Sequence, residues 1–281
     1  MTGRVVVVGT PIGNLADLAP RAAAALASAD VVACEDTRRT GRLLAHLELR
    51  APELVRLDEH TEGDLAGRLV GRAAAGEVVA EVSDAGMPGL SDPGGRVVAT
   101  AAASGVVVEV VPGPFAGAVA AVASALLDPS GRFVFEGFLP RKGEARAARL
   151  AEVAGERRAV VLYEAPHRVA RTLEDLVAAA GPDRPVALCR ELTKLHEEVW
   201  RGTLGEAVAY VEARPPRGEY VVVLGPAPPD GGPSDDEVRA ALDRERSRGA
   251  TGRDAAARVA AELGVAPNRV KRLLHPPGPP T

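Results

Sequence analysis

The stretch SDAGMPGLSDPGGR, Ser83 to Arg96, places four glycines and two prolines around Asp84 and Asp92, directly behind the apolar run EVVAEV. A backbone this bare offers N–H and C=O groups without side-chain obstruction, which is what a closely held ligand needs. Two other turns share the character: GTPIGN, Gly9 to Asn14, behind RVVVV, and VPGPFAG, Val111 to Gly117, behind VVVEV. Ligands of open α/β sheets bind outside the carboxyl ends of strands, so three such turns are expected to converge on one sheet edge and share one pocket.

The elements that must position these turns are legible as alternating patterns. Short Val-rich runs (RVVVVG, DVVAC, ELVRL, EVVAEV, VVVEVV) alternate with Ala/Leu/Arg segments of helical length at 17–28, 38–47, 63–75 and 95–104. Consecutive apolar positions separated by helices are how strands buried on both faces of a parallel sheet read. An α/β lobe is therefore expected over 1–112. Over 113–226 strands outnumber helices and follow one another closely, through FVFEGF, AVVLYEA, PVALCREL, EEVWRGTL and EYVVVLG, which predicts a second lobe with a mixed sheet. The proline- and glycine-rich segment around 227–234 reads as a linker. Beyond it, 235–281 reads as a small helical unit whose AAARVAAELGVAPNRVKRLL has helix-turn-helix spacing, with Gly264 at the turn and Pro267 opening the next helix.

Composition narrows the function classes. At 281 residues, 46% hydrophobic and 26% charged, the chain falls among ordinary globular proteins, and aromatics at 3% argue against recognition by many stacked rings. Cys34 and Cys189 share no ligand spacing with His46, His60, His167, His196 or His275, so neither a metal site nor a disulfide framework is expected; isolated cysteines suit a reducing cytoplasm. Residues 110–127 are uncharged, but Pro112, Gly113 and Pro114 interrupt them, so no membrane span is expected, and the N-terminus reads as a strand, not a signal peptide. From Ser234 onward nine Lys/Arg face seven Asp/Glu, net +2, whereas the residues before it carry 25 against 31, net −6. Any nucleic acid would have to meet local clusters: EDTRRTGR (Arg38, Arg39, Arg42) and RKGEARAAR (Arg141, Lys142, Arg146, Arg149).

Neither GxxxxGK[ST] nor a GxGxxG behind a strand is present, which disfavours a nucleoside triphosphate or a dinucleotide in the glycine-rich turns. What remains is a ligand without a polyphosphate, met by neutral backbone and carboxylates such as Asp84. S-adenosylmethionine fits that description, though periodicity alone does not select it.

Eight motifs in order, GTPIGNLADL, ACEDTRRTGRLL, SDAGMPGLSDPG, VVPGPFA, FVFEGFLPRK, LYEAPHR, RELTKLHEEVWRGTL and GEYVVVLG, resemble the tetrapyrrole methylases, specifically the branch that methylates small-subunit ribosomal RNA, over nearly all of residues 3–226. The resemblance implies a two-lobed α/β fold of the class III S-adenosylmethionine methyltransferases with a helix-turn-helix-like C-terminal extension. It implies a cytoplasmic homodimer, a cofactor between the lobes, and methylation of the 2′-hydroxyl of cytidine 1402 in 16S rRNA of the small ribosomal subunit. By motif, the cofactor positions are Pro11, Asp84, Met87, Phe115, Ala116, Tyr163 and the backbone around Arg190. Phe115 and Thr61 depart from the family pattern, which usually has a small Ser or Cys and an Asn there.

Methyl transfer to a ribose hydroxyl needs alignment and removal of a poorly acidic proton. Candidates for the proton step are Glu164 and His167 of YEAPHR and Glu191 and Lys194 of RELTKLHE, with Glu35, Asp36 and Glu197 as further carboxylates. Asn14, Arg38, Arg39, Lys142 and Arg168 are candidate RNA contacts, since charge-assisted bonds to phosphate demand donors. Two other readings remain open at this level: a methylase of a small tetrapyrrole, and a metabolite-sensing regulator that binds DNA through its tail.

Overall fold

The computed structural model describes residues 3–50, 52–228 and 233–274. Positions 229–232 of the expected linker and 275–281 of the expected tail lie outside the described residues. The chain divides into two compact units, Met1–Val119 with Glu191–Glu197, and Ala120–Arg190 with Glu198–Thr281.

In the first unit, β1 (Arg4–Val8), β2 (Val31–Cys34), β3 (Glu53–Arg56), β4 (Val78–Val82) and β5 (Val107–Val111) form one sheet in the order β3-β2-β4-β1-β5. Every pairing is parallel, as the unbroken apolar runs require: β2 and β4 are buried at every position. Helices α1 (Pro20–Ala27), α2 (Thr37–His46), α3 (Glu62–Ala74) and α4 (Gly95–Ala103) connect the strands. Val5, Val31, Ala33 and Val79 pack with Leu69, Val70 and Val97 on one face, while Val6, Val8, Val32 and Ala80 pack with Leu26 and Leu44 on the other. The alternation of successive side chains across the sheet sets this division.

The second unit is built on β6 (Phe133–Phe138), β7 (Ala159–Glu164), β8 (Pro185–Arg190), β9 (Glu198–Thr203) and β10 (Tyr220–Leu224), in the order β6-β7-β10-β8-β9. Only β6–β7 is parallel, so the sheet is mixed. The uncharged stretch contains α5 (Ala116–Ser124), and no described helix is long and apolar enough to cross a membrane. Helices α6 (Glu144–Gly155), α7 (Pro166–Ala180) and α8 (Leu204–Ala213) complete this α/β layer. Buried Arg184 ties its ends together, donating to the carbonyls of Ala154, Glu156 and Gly225; burial draws its guanidinium down to about 10.

Three helices follow: α9 (Asp235–Ser247), α10 (Gly252–Leu263) and α11 (Pro267–Leu274). Ser234 and Glu237 cap α9 reciprocally, Gly264 ends α10 in the left-handed conformation, and Val238, Leu242, Val259 and Val270 share a small core. Within this unit Asn268 donates to Glu206 at 2.8 Å and Arg272 pairs with Asp183 at 2.7 Å. Two polar residues of α11 are thus engaged within their own unit.

Candidate functional site

The three glycine-rich turns do meet. They leave the carboxyl ends of β4, β1 and β5, which are adjacent in the sheet. The Thr10 N–H donates to the Gly86 carbonyl at 2.8 Å, and the Gly86 N–H returns the bond at 3.1 Å. The Gly113 N–H points at the Met87 sulfur at 3.3 Å. Thr10 is buried and its hydroxyl donates to the Ser83 carbonyl. Pro11, Met87, Phe115 and Ala116 are thereby placed on turns that touch one another. Phe115 sits at the start of α5, its carbonyl accepting from Ala118 and Val119.

Residues 191–197 return to the same unit. A Cβ on Gly13 would fall 2.4 Å from Lys194 Cγ and 2.8 Å from Thr193 Oγ1, so this segment lies against GTPIGN. Glu191 and Thr193 take left-handed backbone, with φ of 49° and 65°, an uncommon conformation for side-chain-bearing residues that clusters at functional sites. Glu191 and Lys194 pair at 3.0 Å. Asn14, by contrast, spends its side chain on capping the short 3-10 turn Leu15–Asp17.

A rim of carboxylates lies at the ends of β2 and β4. Asp84 accepts from the Asp36 N–H at 3.1 Å and pairs with Arg39 at 3.2 Å. Asp36 caps α2 and pairs with exposed Arg38, whose side-chain and backbone donors hold its carboxyl down to about 2. Burial pushes Asp92 up to about 6, with the Ser83 hydroxyl opposing and Glu35 and Asp84 adding to the rise. Burial likewise raises Glu35, with Asp84 next. Such a rim attracts a cation and repels a polyphosphate. No group of three or more His, Cys, Asp or Glu among the described residues is arranged to hold a metal.

The remaining candidates lie in the second unit. Tyr163 stands on β7 between Phe135 and Phe138, edge to face at centroid distances of 5.0 and 5.6 Å. Arg190 ends β8 and pairs with Glu198 at 3.0 Å. Glu164 is buried, and both of its oxygens are engaged: one by the Ala165 N–H and Arg168, the other by the Thr172 hydroxyl at 2.6 Å. This carboxylate is built to hold the start of α7. His167 is exposed on the first turn of α7. Arg168 also donates to the Leu139 carbonyl at 2.9 Å.

The basic cluster RKGEARAAR does not survive as a unit. Arg146 is buried, bonded to Asp175, Thr172 and the Pro140 carbonyl, and Arg149 is paired with Glu136 and Glu152. Arg141 and Lys142 remain exposed, on a loop whose carbonyls Arg146 and Arg168 pin. Just before α3, Thr61 is occupied in a local turn with Asp58.

Sequence reasoning missed Glu62 and Glu81. Glu62, buried at the start of α3, accepts the N–H groups of Gly94 and Arg96; Glu81 is buried in β4 beneath the same turn. The signal was available, since a glutamate inside EVVAEV interrupts an otherwise apolar central strand.

The family model for tetrapyrrole (corrin/porphyrin) methylases matches residues 4–208. The chain is 42% identical over 269 residues to ribosomal RNA small subunit methyltransferase I of Synechocystis sp., covering 95% of each chain. It is 45% identical over 229 residues to the protein so named from Mycobacterium tuberculosis, covering 81% of this chain and 79% of the other. Among solved structures it resembles uroporphyrin-III C-methyltransferase from Thermus thermophilus complexed with S-adenosylhomocysteine, with a TM-score of 0.57 at 24% identity, over 79% of this chain and 97% of that one; this likeness speaks to the fold. With matches of this extent behind the converging turns, the chain belongs to the tetrapyrrole methylase family, in its branch of small-subunit ribosomal RNA methyltransferases.

Proposed function

We propose that the chain transfers a methyl group from S-adenosylmethionine to the 2′-hydroxyl of a cytidine in 16S rRNA, cytidine 1402, within the small ribosomal subunit. The observation that carries this reading is the convergence of the turns at Gly9–Gly13, Gly86–Met87 and Gly113–Ala116, tied by reciprocal bonds between Thr10 and Gly86. The residues present fit the methyl donor: bare backbone groups for its neutral parts, and a carboxylate rim at Asp84 and Asp92 suited to a cationic sulfonium. Pro11, Asp84, Met87, Phe115 and Ala116 would hold it, and the family motifs add Tyr163 and Arg190 as cofactor positions. When bound, the cofactor supplies an electrophilic methyl carbon.

The chain's own part is to align the acceptor and take its proton. Glu191 accepts the hydroxyl proton, and Lys194, 3.0 Å from it, steadies the developing negative charge. The buried Glu164 keeps α7 and Arg168 in place, and His167 stands beside Arg168 toward solvent. Arg38, Arg39, Lys142 and Arg168 contact the RNA, while Asn14 shapes its turn by capping Leu15–Asp17. The chain works as a cytoplasmic homodimer. The regulator reading gains nothing from the tail, since Asn268 and Arg272 are engaged with Glu206 and Asp183.

The test is incubation of the protein with labelled S-adenosylmethionine and either small ribosomal subunits lacking the modification or a tetrapyrrole. Label resistant to alkali at a single cytidine of 16S rRNA is the expected result; label in a tetrapyrrole and none in RNA would overturn the reading. Sedimentation equilibrium decides the dimer.

A further inference from the structure

Glu81 occupies the central strand of the first sheet and is 1% exposed. Its register partners are Val7 on β1 and Ala33 on β2, both apolar. Neither of its carboxyl oxygens has a hydrogen-bond partner. A lone ionised carboxylate in such a place is costly, and ordinarily the group neutralises instead.

Above it lies the turn that follows β4. A Cβ on Gly94 would fall 2.2 Å from Glu81 Oε1 and 3.2 Å from the Gly89 nitrogen, so the turn rests directly on this carboxyl. Gly94 has φ of 131°, open to glycine and strained for other residues. From α3, Glu62 reaches the same point: its Oε1 accepts from the Gly94 N–H at 2.9 Å and the Arg96 N–H at 2.8 Å. From α4 the charged neighbour is Arg96, whose backbone serves Glu62 and whose guanidinium lies toward Gly63.

Two carboxyl groups thus converge on Gly94, and only one is supplied with donors. The N–H pair at the start of α4 is taken up by Glu62. Burial, with the Glu62 charge adding, pushes the Glu81 carboxyl up to about 8.

We propose that Glu81 is a positioning residue of the methyl-donor site that works only when neutral: it then supports Gly94 and leaves Glu62 as the single anion capping α4, whereas ionised it repels Glu62 and displaces the 83–95 turn. This rests on the reading of that turn as part of the S-adenosylmethionine site. The same turn carries Gly86 and Met87, which bond Thr10 and Gly113, so displacement is transmitted to the converged backbone. A purely structural apolar filler would show no such dependence on a proton.

The test uses the full chain with Glu81→Gln, which mimics the neutral acid, and Glu81→Leu, which suits the apolar flanks should the first variant fold poorly. S-adenosylhomocysteine affinity is measured by calorimetry between pH 6.5 and 9. If only the neutral form is competent, wild-type affinity falls about fivefold between the midpoint and one pH unit above it, and the variants stay flat. Equal pH slopes in wild type and variants would overturn the proposal.

Absence of binding at every pH would instead overturn the cofactor reading, and melting curves then decide the role of Glu81. Its folded pKa is raised from 4.5 to about 8, so wild type should lose stability relative to Glu81→Gln as pH climbs through that window, and no further above it. A constant difference between the two would sink the proton role. So would a melting-temperature gain on adding Mg2+ at pH 9 that the variants lack, since the carboxyl pair would then be a cation site.

Discussion

Gly9 and Gly113 meet backbone to backbone. A methyl group on Gly9 would lie 2.5 Å from the Gly113 Cα, and one on Gly113 would lie 2.6 Å from the Gly9 carbonyl carbon. The constraint is contact rather than conformation, because neither glycine needs positive φ. Backbone cannot retreat as a side chain can, so Gly9→Ala and Gly113→Ala should each cost about 1–3 kcal/mol and weaken cofactor binding at least about tenfold. Gly41→Ala in α2, where nothing lies within 4 Å, should be stabilising by about 0.5–1 kcal/mol. Urea denaturation and calorimetry on the three variants check this, and similar behaviour of all three would contradict it.

How far the sequence disclosed this arrangement depends on which residues carry the information. Val5–Val8 and Val31–Cys34 announce buried parallel strands because burial on both faces leaves no polar position to break the run. Gly264 and Pro267 announce the turn between α10 and α11 because each has a local conformational reason to be there. Arg146 was misread as a surface cation because its partners Asp175 and Thr172 lie about one helix away in sequence, on α7. The packing of 191–197 against Gly13 is likewise invisible to local pattern, being a contact between distant segments. Charged residues are the weak point of sequence reading, since their burial is set by partners elsewhere in the chain.

Arg38 and Arg39 are neighbours in sequence with different duties. Arg38 is exposed and pairs with the helix-capping Asp36, whereas Arg39 pairs with Asp84 on the rim. Arg38→Ala should weaken binding to small ribosomal subunits, lower the salt dependence by about one phosphate contact and leave cofactor affinity unchanged. Arg39→Ala should move both constants, because Asp84 loses a partner while still holding the Asp36 N–H. Filter binding across salt concentrations, with calorimetry for the cofactor, separates the two; identical profiles would refute the division.

Arg146 is the centre of a buried network. Its guanidinium reaches Asp175 at 2.8 Å, Pro140 at 2.9 Å and Thr172 at 3.0 Å, and Thr172 passes the chain on to Glu164. Arg146→Ala leaves these groups without their donor and should cost about 3–5 kcal/mol. Arg146→Lys should recover little of it, since an ammonium cannot make three bonds in a planar fork. Lys142→Ala, on the exposed loop, should leave the denaturation midpoint unchanged and lower RNA affinity. A stable Arg146→Ala protein with reduced RNA binding would restore Arg146 to the surface role.

The proposed proton step falls to Glu191, whose backbone is left-handed, and to Lys194, which lies against Gly13. A general base contributes roughly 10²–10⁴-fold, so Glu191→Gln should reduce the single-turnover rate by that order while cofactor affinity holds. Lys194→Ala should reduce it too, and Lys194→Arg should return part of the loss, because charge near the developing alkoxide matters more than donor shape. His167→Ala, exposed at the first turn of α7, serves as the competing test. If its rate falls as far as that of Glu191→Gln, and the low-pH limb of the rate profile shifts only in His167→Ala, the base is the imidazole and the assignment to Glu191 fails.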